Sequence, residues 1–197
     1  MTKHVDHNKR LLLVAASMAA GGVAAAGAGT PFVMSLMPSE RAKAAGAPVE
    51  VDIAAIEPGT MTVVEWQGKP VWIVRRTQAM LDLLAKHDDS LADPDSSIQQ
   101  QPEYCHNAYR SIKPEILVVL GVCTHLGCSP TYRPEVAPPD LGDNWPGGWF
   151  CPCHGSRFDL AARVYKGVPA PTNLVVPPHK YLSDSRLLIG DDRKGKA

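Results

Sequence analysis

No excess of either charge marks this chain: 20 lysines and arginines stand against 20 aspartates and glutamates, with no basic block. A nucleic-acid partner needs a cationic face to displace counterions from phosphates, so that class has no electrostatic support. Cysteine is scarce too, and five in 197 residues are too few for a disulfide-rich scaffold. No repeat recurs, and no low-complexity tract is present beyond one Ala/Gly-rich run near the start. That run holds the most informative absence of all, because no charged residue occurs between Arg10 and Glu40.

About 20 apolar residues cross a hydrocarbon core, and the uncharged stretch is longer than that. A cleaved signal peptide has a shorter apolar region, about 7–15 residues. A buried core helix would rarely hold Gly21, Gly22, Gly27 and Gly29. One transmembrane helix over residues 11–37 is therefore expected, with small residues that let neighbouring helices approach and Pro31 ending or kinking its far end. Lys3, Lys9 and Arg10 precede it, opposed by Asp6, which puts residues 1–10 in the cytoplasm and the rest outside. Lys9-Arg10 also resembles a relaxed twin-arginine export signal, and Ala42-Lys43-Ala44 leaves open a cleavage site that would free a soluble head. Residues 38–48 show no strand pattern and little amphipathicity, and read as a tether.

The remainder, residues 49–197, alternates short apolar runs with turn residues. Val49–Ile53 has period two. Thr62–Trp66 and Val71–Arg75 flank Gln67-Gly-Lys-Pro70, a hairpin pattern. Thr77 is placed to cap a short helix over Met80–Ala85. Ile116–Leu120, Gly148–Phe150, Phe158-Asp159, Val164-Tyr165, Leu174–Val176 and Leu187–Ile189 complete the expected strands. The polar stretch 87–114 reads as a long surface insertion. Many short strands with turn punctuation predict a mainly β head, an antiparallel sandwich or small barrel.

Four of the five cysteines lie in two loops, Cys123-Thr-His125-Leu126-Gly127-Cys128 and Cys151-Pro-Cys153-His154-Gly-Ser156. Each loop pairs a cysteine with a nearby histidine and carries one further cysteine. Two thiolates with two imidazoles form the ligand set of a Rieske [2Fe–2S] centre. With that set in place, the chain resembles the Rieske iron–sulfur proteins of quinol–cytochrome c reductases. Cys105 stands apart and reads as a free structural thiol.

The resemblance implies a Rieske-type head whose cluster-binding part covers about 121–172, holding one [2Fe–2S] cluster. It implies Cys123 and Cys151 on one iron, His125 and His154 on the other, with His154 facing the quinol. It implies a Cys128–Cys153 disulfide, permitted on the oxidising side of a membrane. Ser156 matches a family serine that bonds a bridging sulfide. Leu126 and Gly127 fall beside the cluster, where Leu126 is either core filler or a screen against water. Gly167-Val-Pro169-Ala-Pro171 resembles the proline-rich loop that covers the cluster, although proline content alone would also suit a generic surface loop. The tether becomes a hinge. Phe158 stands where high-potential members commonly have tyrosine, so a lower potential is expected, fitting menaquinone or a lower-set ubiquinol chain. The implied partners are a cytochrome b subunit, a c-type cytochrome and quinol, in a dimeric complex of a bacterial inner membrane with the head in the periplasm.

Other readings stay open on sequence. Zinc suits Cys and His at loop tips, but Cys-x-His is an unusual zinc spacing and zinc gives Cys128 and Cys153 no role. A soluble or oxygenase-type Rieske carrier is disfavoured by those cysteines and by the apolar span. The small Rieske subunit of another periplasmic oxidoreductase, such as an arsenite oxidase, is disfavoured by the tether, the long insertion and the Pro-Ala-Pro loop.

Overall fold

The computed structural model describes residues 6–192, so Lys3 lies outside the described residues. The chain divides into two units, residues 1–44 and 45–197. The first holds helix α1 (His7–Ser35) and most of a short helix α2 (Glu40–Ala45). Asp6 caps α1, its carboxylate accepting the N–H groups of Asn8 and Lys9 at 3.1 and 3.2 Å. The helix thus starts before the apolar run and stops at Ser35 rather than at residue 37. Pro31 does not end it, and one further turn follows, with Thr30 Oγ1 donating to the Ala26 carbonyl at 2.7 Å. The helix is long and apolar enough to cross a membrane. The expected tether is not wholly irregular: Ser39 Oγ accepts the Ala42 N–H and Lys43 pairs with Glu40, which suffices for the brief turn of α2.

Among the described residues the head holds nine strands, one α-helix and two short 3-10 turns, Asp88–Ser90 and Glu103–Cys105. In chain order the strands and the helix are β1 (Val49–Asp52), β2 (Met61–Trp66), β3 (Lys69–Arg75), α3 (Gln78–Leu84), β4 (Ile116–Leu120), β5 (Thr131–Arg133), β6 (Gly148–Phe150), β7 (Arg157–Phe158), β8 (His179–Ser183) and β9 (Arg186–Ile189). They form three antiparallel three-stranded sheets, β1-β9-β8, β2-β3-β4 and β5-β6-β7. The β2–β3 hairpin forms as expected but on a tighter turn, with Trp66 opposite Lys69 so that Lys69 and Pro70 belong to β3, and Thr77 caps α3 through its side chain.

Strands β3 and β4 of the middle sheet are buried on both faces, and their period-two pattern sorts two cores. Val71, Ile73, Ile116, Val118 and Leu120 point one way, against Val51, Leu187 and Ile189 of β1 and β9. Trp72, Val74, Leu117 and Val119 point the other way, against Trp149, Phe158, Leu174 and the two loop cysteines Cys123 and Cys151. All five residues of β4 are buried. At about 1.5–3 kcal/mol for each large apolar side chain removed from water, the run Ile116–Leu120 alone anchors the first loop firmly.

Three expectations need correction. Leu174–Val176 is not a strand: the Leu174 N–H goes to Ala162 and the Val176 N–H to Gln100, while the Val175 carbonyl accepts from Leu120. Its backbone groups are satisfied by three separate partners, which no ladder can provide. β5 and β8 are strands that residue pattern did not announce, since both are short and polar. The stretch 87–114 is not merely a surface insertion. It buries Leu91, Gln101, Cys105, Arg110 and Ser111, because Arg110 supplies donors to carbonyls deep in the head.

Candidate metal centre

Strand β4 runs through Gly121 and Val122 into Cys123, and β6 runs directly into Cys151. The two loops close with the same hydrogen bonds. The Cys123 N–H donates to the Cys128 carbonyl at 2.7 Å and the Gly127 N–H to the Cys123 carbonyl at 3.0 Å. In the second loop the Cys151 N–H donates to the Ser156 carbonyl at 2.8 Å and the Gly155 N–H to the Cys151 carbonyl at 2.9 Å. Gly127 and Gly155 occupy the same place in each, at φ of 85° and 76°, where a side chain would be strained. Ser156 therefore holds in the second loop the position that Cys128 holds in the first.

This closure turns the two leading cysteines inward. Cys123 and Cys151 are 3 % and 2 % exposed, and their thiols lie within hydrogen-bonding reach of each other. Burial raises the Cys123 thiol above the ordinary cysteine value; the backbone N–H of His125 and the Ser156 hydroxyl pull the other way, toward thiolate. The imidazoles of His125 and His154 meet edge to face with ring centres 4.7 Å apart. His125 is half-buried and His154 exposed, so the sulfurs lie inside and the imidazoles toward solvent.

Cys128 and Cys153 form a disulfide across 25 residues and so join the two loops. The Cys151 sulfur lies within 4.8 Å of both disulfide sulfurs. Paired sulfurs do not serve as thiolate ligands, which leaves Cys123 and Cys151 as the free thiols of the site. Cys105, the remaining free cysteine, is fully buried, and burial pushes its thiol up to about 12.

The other expected residues sit around this set. Ser156 is fully buried and its Oγ accepts the Ala170 N–H at 3.0 Å, tying the second loop to the proline-rich segment. Thr124, between ligand-type cysteine and histidine, donates its hydroxyl to the Thr172 carbonyl at 2.7 Å and ties the first loop to the same segment. Sequence reasoning passed over Thr124, though its place inside the motif was available as a signal; nothing in the sequence marked Ala170. Pro169 and Leu126 are exposed, Leu126 at 73 %. Phe158 is fully buried in the core that also contains Cys123 and Cys151.

Two buried thiols and two adjoining imidazoles, held by loops closed on their own backbone, make an N₂S₂ donor set. It fits a [2Fe–2S] cluster of mixed ligation.

Comparison with known proteins agrees. The family model of the Rieske [2Fe–2S] domain matches residues 48–178. The chain is 61 % identical over 189 residues to the ubiquinol-cytochrome c reductase iron-sulfur subunit of Allochromatium vinosum, covering 96 % of this chain and 91 % of that one. It is 48 % identical over 160 residues to the mitochondrial cytochrome b-c1 complex subunit Rieske-1 of Nicotiana tabacum, covering 81 % of this chain. It spans about half the length of that plant relative, 54 %. Among solved structures, a chain of a hyperthermophilic respiratory Complex III matches with a TM-score of 0.49 and 27 % identity, over 87 % of this chain and 98 % of that one.

Proposed function

The chain belongs to the Rieske [2Fe–2S] family, and from that premise we propose that it is the electron-transfer subunit of a quinol–cytochrome c reductase. In this reading it takes one electron from quinol at a cytochrome b subunit and passes it to a c-type cytochrome haem. Helix α1 anchors it in a bacterial inner membrane, with the amino terminus cytoplasmic and the head periplasmic. The complex is dimeric, and turnover and proton translocation belong to the complex rather than to this polypeptide alone.

Cys123 and Cys151 would hold one iron, and His125 and His154 the other. A [2Fe–2S] cluster so held supplies one-electron redox chemistry at a potential raised by two neutral imidazoles in place of two thiolates. The chain's own groups do the rest. Each imidazole would keep one ring nitrogen free of metal, and that nitrogen of His154, on the exposed side, would receive the proton given up by the quinol hydroxyl. Ser156 donates toward Cys123 and favours the more electron-rich state of the sulfur. The disulfide and the Thr124 and Ser156 ties hold the loops against the proline-rich segment. Water is kept from the sulfurs by burial of both thiols.

The observation that carries this reading is the convergence of two buried thiols and two touching imidazoles on loops stapled by a disulfide. Low-temperature EPR of the purified chain after ascorbate, then after dithionite, tests it. An anisotropic Rieske-type signal with ascorbate is expected. A signal only with dithionite moves the protein to a low-potential carrier class, and no signal together with bound zinc overturns electron transfer altogether.

A further inference from the structure

Trp72 of the middle sheet packs on both segments that lead into the two loops. It lies on β3 opposite Val119 of β4, on the face that looks toward the site, and it is 3 % exposed. Its indole stacks on the indole of Trp149, with centroids 5.6 Å apart and planes 3° from parallel. Trp149 is itself fully buried on β6 and also touches the Tyr132 ring at 5.4 Å. The Nε1–Cε2 edge of the Trp72 indole presses on Gly121: a Cβ there would overlap Cε2, with Nε1 at 2.5 Å and Cζ2 at 2.6 Å.

The two contact points are equivalent. Gly121 lies two residues ahead of Cys123, and Trp149 two residues ahead of Cys151. Each belongs to the segment that delivers its cysteine, and those segments come from different sheets, β4 from the middle one and β6 from the loop-bearing one. Both cysteines lie in the same buried core as this shared ring. A side chain of other thickness at position 72 changes the distance between the two delivery segments. The disulfide joins the loops at Cys128 and Cys153, on the far side of the two cysteines from this contact in each segment.

We propose that Trp72 is a positioning residue that sets the separation of the Cys123 and Cys151 loops by packing at once on Gly121 and on Trp149. The proposal rests on the ligand assignment above. Trp72 touches no reacting atom; it acts through the geometry of the thiol pair. Because the potential and EPR anisotropy of a cluster depend on how its ligands are held, both report on that geometry.

The test uses the full chain, loaded with iron and sulfide, in the wild type, Trp72→Leu, Trp72→Phe and Gly121→Ala. Leu187→Ala, a fully buried change in the opposite core, serves as the stability control. In Trp72→Leu, iron retention against a chelator is expected to weaken by about 10-fold or more, and the remaining cluster to show shifted g-values and midpoint potential. Trp72→Phe, which keeps a ring able to stack, shifts both less. Gly121→Ala displaces the same contact from the other side and shifts both again, so the inference stays testable if Trp72→Leu does not fold. Leu187→Ala melts lower with the wild-type spectrum. A wild-type signal that is unmoved in the position-72 and position-121 variants overturns this inference alone. A wild-type chain with no signal overturns the electron-transfer reading and this inference with it.

Discussion

The guanidinium of Arg110 donates through Nη2 to the Leu174 carbonyl at 2.8 Å, joining the stretch before β4 to the chain that leaves the proline-rich segment. It also donates to the carbonyls of Ala161 and Ala162 and to the Gln101 side chain, at 3.0–3.2 Å. Burial lowers its pKa to about 10, against the pull of Asp159 and Asp93, so it remains charged at neutral pH. Arg110→Leu would leave three carbonyls without this donor. A loss of about 3–5 kcal/mol is expected. Arg110→Lys should recover little, because one ammonium cannot reproduce the fork. Denaturant unfolding of both variants checks this, and wild-type stability in Arg110→Leu would contradict it.

His179 gives the head an acid-labile point. It is 2 % exposed, its ring nitrogen Nδ1 lies 2.8 Å from the Pro177 carbonyl, and the Tyr104 ring stands edge-on to it. Burial lowers its pKa below the ordinary histidine value, against opposing contributions from the Pro177 carbonyl and from Asp192. The unfolded chain therefore binds this proton first as pH falls. The sign follows: stability is fully present above about pH 6.5 and declines as pH drops below that toward the folded-state pKa. Unfolding midpoints of wild type and His179→Asn across pH 7.5 to 5 provide the measurement, and the variant should show the shallower slope. Equal slopes would remove His179 as the cause.

Both regions show where sequence pattern stops being informative. The β2–β3 hairpin, the buried β4 strand, the Thr77 cap and the cysteine–histidine loops were legible, because alternation, capping residues and ligand spacing are local signals. The burial of 87–114 was not. Its polar residues look like solvent-facing chain until Arg110 is seen to feed carbonyls more than 50 residues away. Leu174–Val176 misled for the converse reason: apolar, β-branched residues were buried without a partner strand. At the site the donor set was legible and its bracing was not. Thr124, Ala170 and Trp72 act through contacts that the sequence does not bring together.

The disulfide should matter in a way that depends on how many cysteines are removed. Opening a loop of 25 residues costs about 2–4 kcal/mol on chain entropy. Cys128→Ser alone leaves Cys153 unpaired with its sulfur within 4.8 Å of the Cys151 sulfur. On oxidation those two can pair, which removes Cys151 from ligation. Cys128→Ser/Cys153→Ser lacks that competitor. The double variant is therefore expected to retain more iron per chain than either single one, although all three melt below the wild type. Disulfide mapping should find Cys151–Cys153 in Cys128→Ser. Equal iron content in single and double variants would refute the competition.

Phe158 offers the clearest test of how the surroundings set the potential. Its ring is fully buried in the same core as Cys123 and Cys151, and it pairs across β6 and β7 with Trp149. A hydroxyl added there has two physical outcomes. If it donates to a ligand sulfur, it favours the electron-rich reduced state and the midpoint rises. If it finds no partner, it is a buried unsatisfied group that costs about 1–3 kcal/mol and leaves the potential where it was. The resemblance to tyrosine-bearing relatives favours the first outcome, so Phe158→Tyr is expected to raise the midpoint without a matching loss of stability. Redox titration and thermal melting of the same preparation separate the two cases. An unchanged midpoint with a lowered melting temperature would show that a hydroxyl at this position does not set the potential.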